Sequence, residues 1–282
     1  MKRCSQCQTE MDAEESVCPQ CGHREKVLAP KTALDYLNRG IDFDGQGEPD
    51  RAIADYTQAL RLEPTLPGAQ RRLVAAFSSR GAAHLAKREL NQAIAAFTEA
   101  IRLAPRAVDH NYRATALLQK GAVDRAITDS TEAIRLDLNF FPAYLTRAVA
   151  FQQKGDVDRA IADNTEALRL QPNYAAAYRN RGREYAQKGA IDLAIADFTE
   201  AIRLEPQNAS AFCDRGGAQL QRGEYNRAIT DCTEALRLDS KLELAYQHRA
   251  RAYRALGDEP NAAADEKAAG TSGKTWWQFW RK

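Results

Sequence analysis

Four of the six cysteines fall in the first 21 residues, as Cys4-Ser-Gln-Cys7 and Cys18-Pro-Gln-Cys21, with ten residues between the pairs. Each pair can present two thiolates from one tight turn, and two such turns facing each other make the tetrahedral sulfur shell that zinc prefers. Cys4, Cys7, Cys18 and Cys21 are therefore the expected zinc ligands. Two disulfides would need an oxidising compartment, and a thioredoxin-like redox pair would need a βαβ context that the pattern lacks. Four thiolates leave no open coordination position, so the metal is expected to be structural rather than catalytic. Elsewhere the residues that could do chemistry are scattered. His23, His84, His110 and His248 share no site with a nucleophile and an orienting acid. Residues Ala268 to Thr275 imitate a phosphate-binding loop, but a helical pattern precedes them and only seven residues follow, so no strand and helix frame the loop. The expectation is a protein without catalysis and without a small-molecule substrate.

The elements that carry these residues follow from a repeat. The phrase Ala52-Ile-Ala-Asp-Tyr-Thr-Gln-Ala-Leu-Arg-Leu-Glu-Pro64 returns with first alanines at 93, 126, 160, 194, 228 and 262, at spacings of 41, 33, 34, 34, 34 and 34. Thirteen residues before each of these alanines stands an arginine: Arg39, Arg80, Arg113, Arg147, Arg181, Arg215 and Arg249. Large residues three before and four after many of these arginines give a helical period. Gly121, Gly155, Gly189, Gly223 and Gly257 close the first helix of a unit, and Pro64, Pro105, Pro172 and Pro206 end the second. Each unit thus reads as a helical hairpin, helix A then helix B. An aspartate sixteen residues after the arginine (Asp55, Asp129, Asp163, Asp197, Asp231, Asp265) predicts an Arg–Asp ladder inside the hairpins. Arg80, with Ala96 in that place, is the exception. Seven extra residues before Phe77 predict a longer helix A in the second unit.

Period and pattern together resemble the tetratricopeptide repeat. The resemblance rests on the aromatic opening helix A, the small residue at 40, 81, 114, 148, 182, 216 and 250, the alanine starting helix B and the terminal proline. It spans about residues 30 to 269. The amino-terminal cysteine pairs resemble a zinc ribbon. The expected fold is all-α, a right-handed superhelical solenoid of about seven hairpins preceded by a small zinc-ribbon module. The expected organisation is ribbon 1–25, linker 26–31, repeat array 32–269 with a degenerate last unit, and linker plus tail 270–282.

The family resemblance implies a concave groove lined by helix A that holds a peptide or partner helix. By pattern, the groove face of the later units carries Arg179, Arg183, Arg251 and Arg254, with Gln153, Gln187 and Gln221 beside them. Amides offer both donor and acceptor to an extended backbone, and arginines suit carboxylates, so the expected partner is a protein or peptide of acidic character. The bland reading is that Arg and Gln are solvated helix formers. Chaperone-tail binding, known for some family members, is not reproduced: Asn38 and Asn180 occupy one clamp position, but Leu34, Ile41 and Ala176 stand where polar or basic groups are needed.

With 40 Lys and Arg against 38 Asp and Glu, the formal charge of +2 gives no basic field for generic nucleic-acid binding. A nucleic-acid or ribosome adaptor acting through the ribbon stays as an alternative. No uncharged run exceeds nine residues, far short of the roughly 20 needed to cross a bilayer. All three tryptophans lie in the final seven residues, as Trp276, Trp277 and Trp280 around Phe279, with Lys274, Arg281 and Lys282 near them. Three roles stay open for this tail: capping the last repeat, lying on a membrane surface, or presenting a linear motif to a partner. The expected location is cytoplasmic, with peripheral contact at the inner membrane surface if the tail binds lipid.

Overall fold

Alanine on one face of helix B lets two helices approach closely, and this governs the packing. The computed structural model describes residues 2–3, 7–11, 20–21 and 32–270. They form two compact units, Met1–Arg80 and Gly81–Lys282. In the first, β1 (Lys2–Arg3) and β2 (Glu10–Met11) pair antiparallel with Lys2 opposite Met11. Helix α1 (Ala33–Gly45) starts at Thr32, whose hydroxyl accepts from the Asp35 amide while the Asp35 carboxylate accepts from the Thr32 amide. Helix α2 (Pro49–Leu62) has proline in its first turn and returns against α1, with Ala52, Tyr56 and Ala59 fully buried. Helix α3 (Ala69–Ala86) begins in this unit and continues into the next.

The second unit continues with α4 (Leu90–Leu103), α5 (Ala107–Gln119), α6 (Val123–Leu136), α7 (Phe141–Lys154), α8 (Val157–Leu170) and α9 (Ala175–Gln187). It ends with α10 (Ile191–Leu204), α11 (Ala209–Arg222), α12 (Tyr225–Leu238), α13 (Glu243–Ala255) and α14 (Glu259–Ala268). Odd-numbered helices are helix A and even-numbered ones helix B. From α5 onward each A helix packs on its own B helix and on the B helix before it, and α5 with α7, α9 with α11 and α11 with α13 meet directly.

The glycines at 121, 155, 189, 223 and 257 all have φ between +77° and +82°, the left-handed conformation that reverses the chain between A and B. Arg88 occupies the same place after α3 at φ +61°, a conformation unfavourable for a side-chain-bearing residue. The longer helix A is present: α3 has 18 residues against 13 or 14 in its sisters. The rest of the insertion is a turn ending at Gly68, φ +80°.

The Arg–Asp ladder is formed. In six repeats the guanidinium donates through Nε and an Nη to both carboxylate oxygens, for example Arg147 to Asp163 at 2.8 Å twice and Arg39 to Asp55 at 2.6 and 2.7 Å. Arg80, without a ladder aspartate, donates to Asp50 of α2 at 3.0 Å. The remaining Nη1 of Arg113, Arg147, Arg181, Arg215 and Arg249 donates to a threonine on the preceding helix B (Thr98, Thr131, Thr165, Thr199, Thr233) at 3.0 to 3.2 Å. Each of these arginines therefore ties its hairpin both to itself and to the one before. Aromatic rings flank them, as Tyr178 and Tyr185 do Arg181.

Candidate functional site

The exposed faces of α7 and α9 enclose a pocket of about 310 Å³ lined by Val149, Gln152, Asn180, Arg183, Glu184 and Gln187. It lies between two neighbouring A helices, the face on which a binding groove is expected. Gln152, Asn180, Arg183 and Gln187 make no hydrogen bond or salt bridge among the described residues, so a guanidinium and three amides are free to meet a ligand. Two of the expected groove residues, Arg183 and Gln187, are brought together here. Gln153 and Gln221 are exposed near the carboxyl ends of α7 and α11 and do not line it.

The other expected arginines are placed differently. Arg179 is largely covered, and its Nε lies 3.4 Å from the Asp214 carboxylate of α11 without the alignment of a hydrogen bond. Its charge is thus partly spent inside the protein. Burial pushes the Asp214 carboxyl up, with Arg183 and Arg179 opposing that rise. Arg254 donates to Glu266 of α14 at 2.7 Å and contacts Glu259 at 3.4 Å, so it braces the last hairpin. Arg251 is exposed on α13.

Of two groups that the sequence reading did not single out, Glu184 lines the pocket and Asn164 lies buried behind it, bonded to Glu184. Glu184 is buried, and Asn164 of α8 donates from Nδ2 to both of its oxygens at 3.0 Å. Burial pushes the Glu184 carboxyl up to about 7, against the lowering effect of Asn164, Arg181 and Arg183. The signal was present in the repeat alignment. The buried positions equivalent to Glu184 hold Ala116, Ala150, Ala218 and Ala252, and those equivalent to Asn164 hold Tyr56, Phe97, Ser130, Phe198 and Cys232. Between α11 and α13, the Cys213 thiol lies 3.8 Å from His248 Nδ1. Burial pushes Cys213 up to about 12 and the His248 imidazole down, so neither is charged at neutral pH and the pair is not an activated nucleophile.

Residues 37–105 and 79–137 match one family model described as tetratricopeptide repeat, residues 141–174 match another, and residues 182–221 match a model described as TPR repeat. The chain carries tetratricopeptide repeats. A tetratricopeptide repeat protein from Parabacteroides merdae superposes with a TM-score of 0.60 at 19% identity, covering 86% of this chain and 94% of that one. MamA residues 41 to the end from Desulfovibrio magneticus RS-1 gives 0.54 at 21%, covering 58% and 94%. YrrB, described as a TPR protein with an unusual peptide-binding site, gives 0.51 at 22%, covering 64% and 89%. At these identities the likeness is one of fold. No curated protein matches the chain.

Outside the tetratricopeptide repeats, the described residues contain no cluster of three or more His, Cys, Asp or Glu able to hold a metal. Cys7 and Cys21 are described, whereas Cys4 and Cys18 lie outside the described residues, as do Trp276, Trp277, Phe279 and Trp280. Cys7 falls in the stretch connecting β1 to β2, and Gln8 just after it has φ +61°, a sharp left-handed turn. No helix among the described residues is long and apolar enough to cross a membrane.

Proposed function

We propose that the chain is a non-enzymatic interaction scaffold whose A-helix face binds an extended peptide segment bearing carboxylates. The observation that carries this reading is the pocket between α7 and α9, where the side chains of Arg183 and three amides make no hydrogen bond or salt bridge among the described residues. Amides can bond the peptide backbone in either direction, and the guanidinium selects a carboxylate. Since Arg179 is already held against Asp214 and Arg254 against Glu266, Arg183 is the principal anion contact. An array of capped dodecapeptides of graded Asp and Glu content, probed with wild type and Arg183→Glu, tests this. Acid-rich peptides should be retained by wild type and lost by at least about tenfold in the variant, the loss of one charge-assisted contact with added repulsion. An unchanged set of bound peptides would move the function away from this pocket.

For the amino terminus we infer a zinc ion held by Cys4, Cys7, Cys18 and Cys21. The hairpin turn at Cys7 and Gln8 supports it, and so does the all-thiolate donor set. The metal would supply folding energy to a segment too short for a core of its own. Elemental analysis of the purified chain should find one zinc per molecule, and none after the four cysteines are changed to serine.

A further inference from the structure

The Asn164–Glu184 pair is an unusual way to fill the space between two repeats. Where a helix B meets the next helix A, two sister repeats place an aromatic on a buried alanine, Phe97 with Ala116 and Phe198 with Ala218, and two others place the small side chains Ser130 and Cys232 at the same position, with no acid opposite. Between α8 and α9 an amide and a carboxyl replace them, fully buried or nearly so, at a cost in desolvation that apolar packing avoids. Filling volume does not require this. The pair is also incomplete as it stands: one Asn164 amide nitrogen serves both carboxylate oxygens, while the buried Asn164 Oδ1 has no partner. A protonated Glu184 can donate its O–H to that oxygen and accept from Nδ2, satisfying both groups. An ionised one cannot, because it has no proton to give.

Glu184 also lies under the guanidinium that the reading above assigns to the partner. We propose that Glu184 is a proton-operated floor of the Arg183 pocket: a peptide carboxylate is held while Glu184 is protonated and is released when Glu184 ionises. This rests on the groove reading. The charges around the floor are few. Asp163 on α8 is tied to Arg147 of α7, and Arg181 on α9 is tied to Asp197 of α10. Asp214 of α11 faces Arg179 and Arg183. With the ladder pairs neutralising each other, Arg183 is the charge above Glu184 that stays open to solvent. Ionised, Glu184 takes that field and repels an incoming carboxylate. The carboxyl sits near 7, so the exchange falls in the physiological range. By linkage, the bound anion must raise the affinity of Glu184 for its proton, and affinity must fall as pH rises through neutrality.

The experiment is calorimetric titration of the full chain with an acetylated, amidated decapeptide alternating Glu and Ser, at pH 6 and pH 8. A Gln and Ser decapeptide with a free carboxyl terminus distinguishes a side-chain carboxylate from a terminal one. Wild type should bind the acidic peptide about tenfold more tightly at pH 6, a change matching one pKa unit of coupling. Glu184→Gln keeps the shape and removes the charge, and should bind at both pH values with the wild-type pH 6 affinity. The double variant Asn164→Phe with Glu184→Ala rebuilds the sister packing and should likewise lose the pH dependence. Parallel pH profiles in wild type and Glu184→Gln would overturn the gate while leaving the groove reading intact. No binding by wild type at either pH would overturn the groove reading and the gate with it.

Discussion

Single residues carry charge here in two distinct ways. One ladder carboxylate is held ionised: burial alone would raise Asp129, but bonds from Arg113 and His110 outweigh it and keep it below the usual carboxylate range. Glu184 is the reverse, a carboxyl moved from an ordinary 4.5 to about 7 by burial. Its folded form holds a proton more tightly than its unfolded form. The stability it contributes is complete below about pH 4.5 and is lost as pH rises through 7. Glu184→Gln should therefore resemble wild type at pH 5 and exceed it at pH 8, by up to about 3 kcal/mol, read as a melting temperature that falls with pH in wild type and not in the variant. Equal pH dependence in both would mean that Glu184 is ionised in the fold. This residue was legible in the sequence only as a departure: at the buried repeat positions a glutamate stands among alanines, and an asparagine stands where the other repeats carry Tyr, Phe, Ser or Cys. That the two meet follows from knowing that position 17 after one ladder arginine packs on position 3 after the next, a distance relation that the linear pattern does not contain.

Elements pack by matched volumes, and the small position of helix A shows it. A β-carbon at Gly40, Gly81 or Gly182 would lie 2.6 to 2.7 Å from the ring of Tyr56, Phe97 or Phe198. Where helix B offers a smaller side chain, Ser130 or Asn164, helix A carries Ala114 or Ala148 instead, both fully buried. The ring and the glycine are thus one packing unit shared by two helices. Gly182→Ala should cost about 1 to 3 kcal/mol by overpacking. On a Phe198→Ser background, which imitates the Ala114–Ser130 hairpin, the same alanine should cost little, giving a coupling above about 1 kcal/mol in a double-mutant cycle by thermal melting. Additive effects would show that the ring moves aside freely. Hairpins, boundaries and the ladder were legible because they recur, so that seven copies average out local exceptions. The inter-repeat Arg–Thr bonds, the reach of Arg80 to Asp50 and the internal engagement of Arg179 and Arg254 were not, because each joins one hairpin to another or depends on a side-chain direction.

At the scale of the molecule, a repeat array must deal with its last surface. From α4 onward each helix B before the last is covered by the next helix A, so a final helix B that kept the aromatic of its sisters would expose it. Helix α14 avoids this: at the place of Tyr56, Phe97 and Phe198 it has Glu266, bound by Arg254 at 2.7 Å, and its exposed alanines are the small Ala263, Ala264 and Ala268. Asp265 still closes the ladder with Arg249 at 2.7 Å twice. Helix α14 thus carries a charged pair where an aromatic would stand, so we predict that the tail, which lies outside the described residues, is not required as a cap. Deleting residues 274–282 should then leave the melting temperature within about 2 °C of wild type, the shift of a surface change in a chain of this size. A drop of several degrees would assign the tail to the cap after all. If the melting point holds, sedimentation of full-length and truncated chains with anionic and with neutral vesicles decides what the aromatic and basic residues do. Binding of the full-length chain to anionic vesicles alone, abolished by salt, would identify a membrane-surface contact, because Lys274, Arg281 and Lys282 act through a screened surface potential.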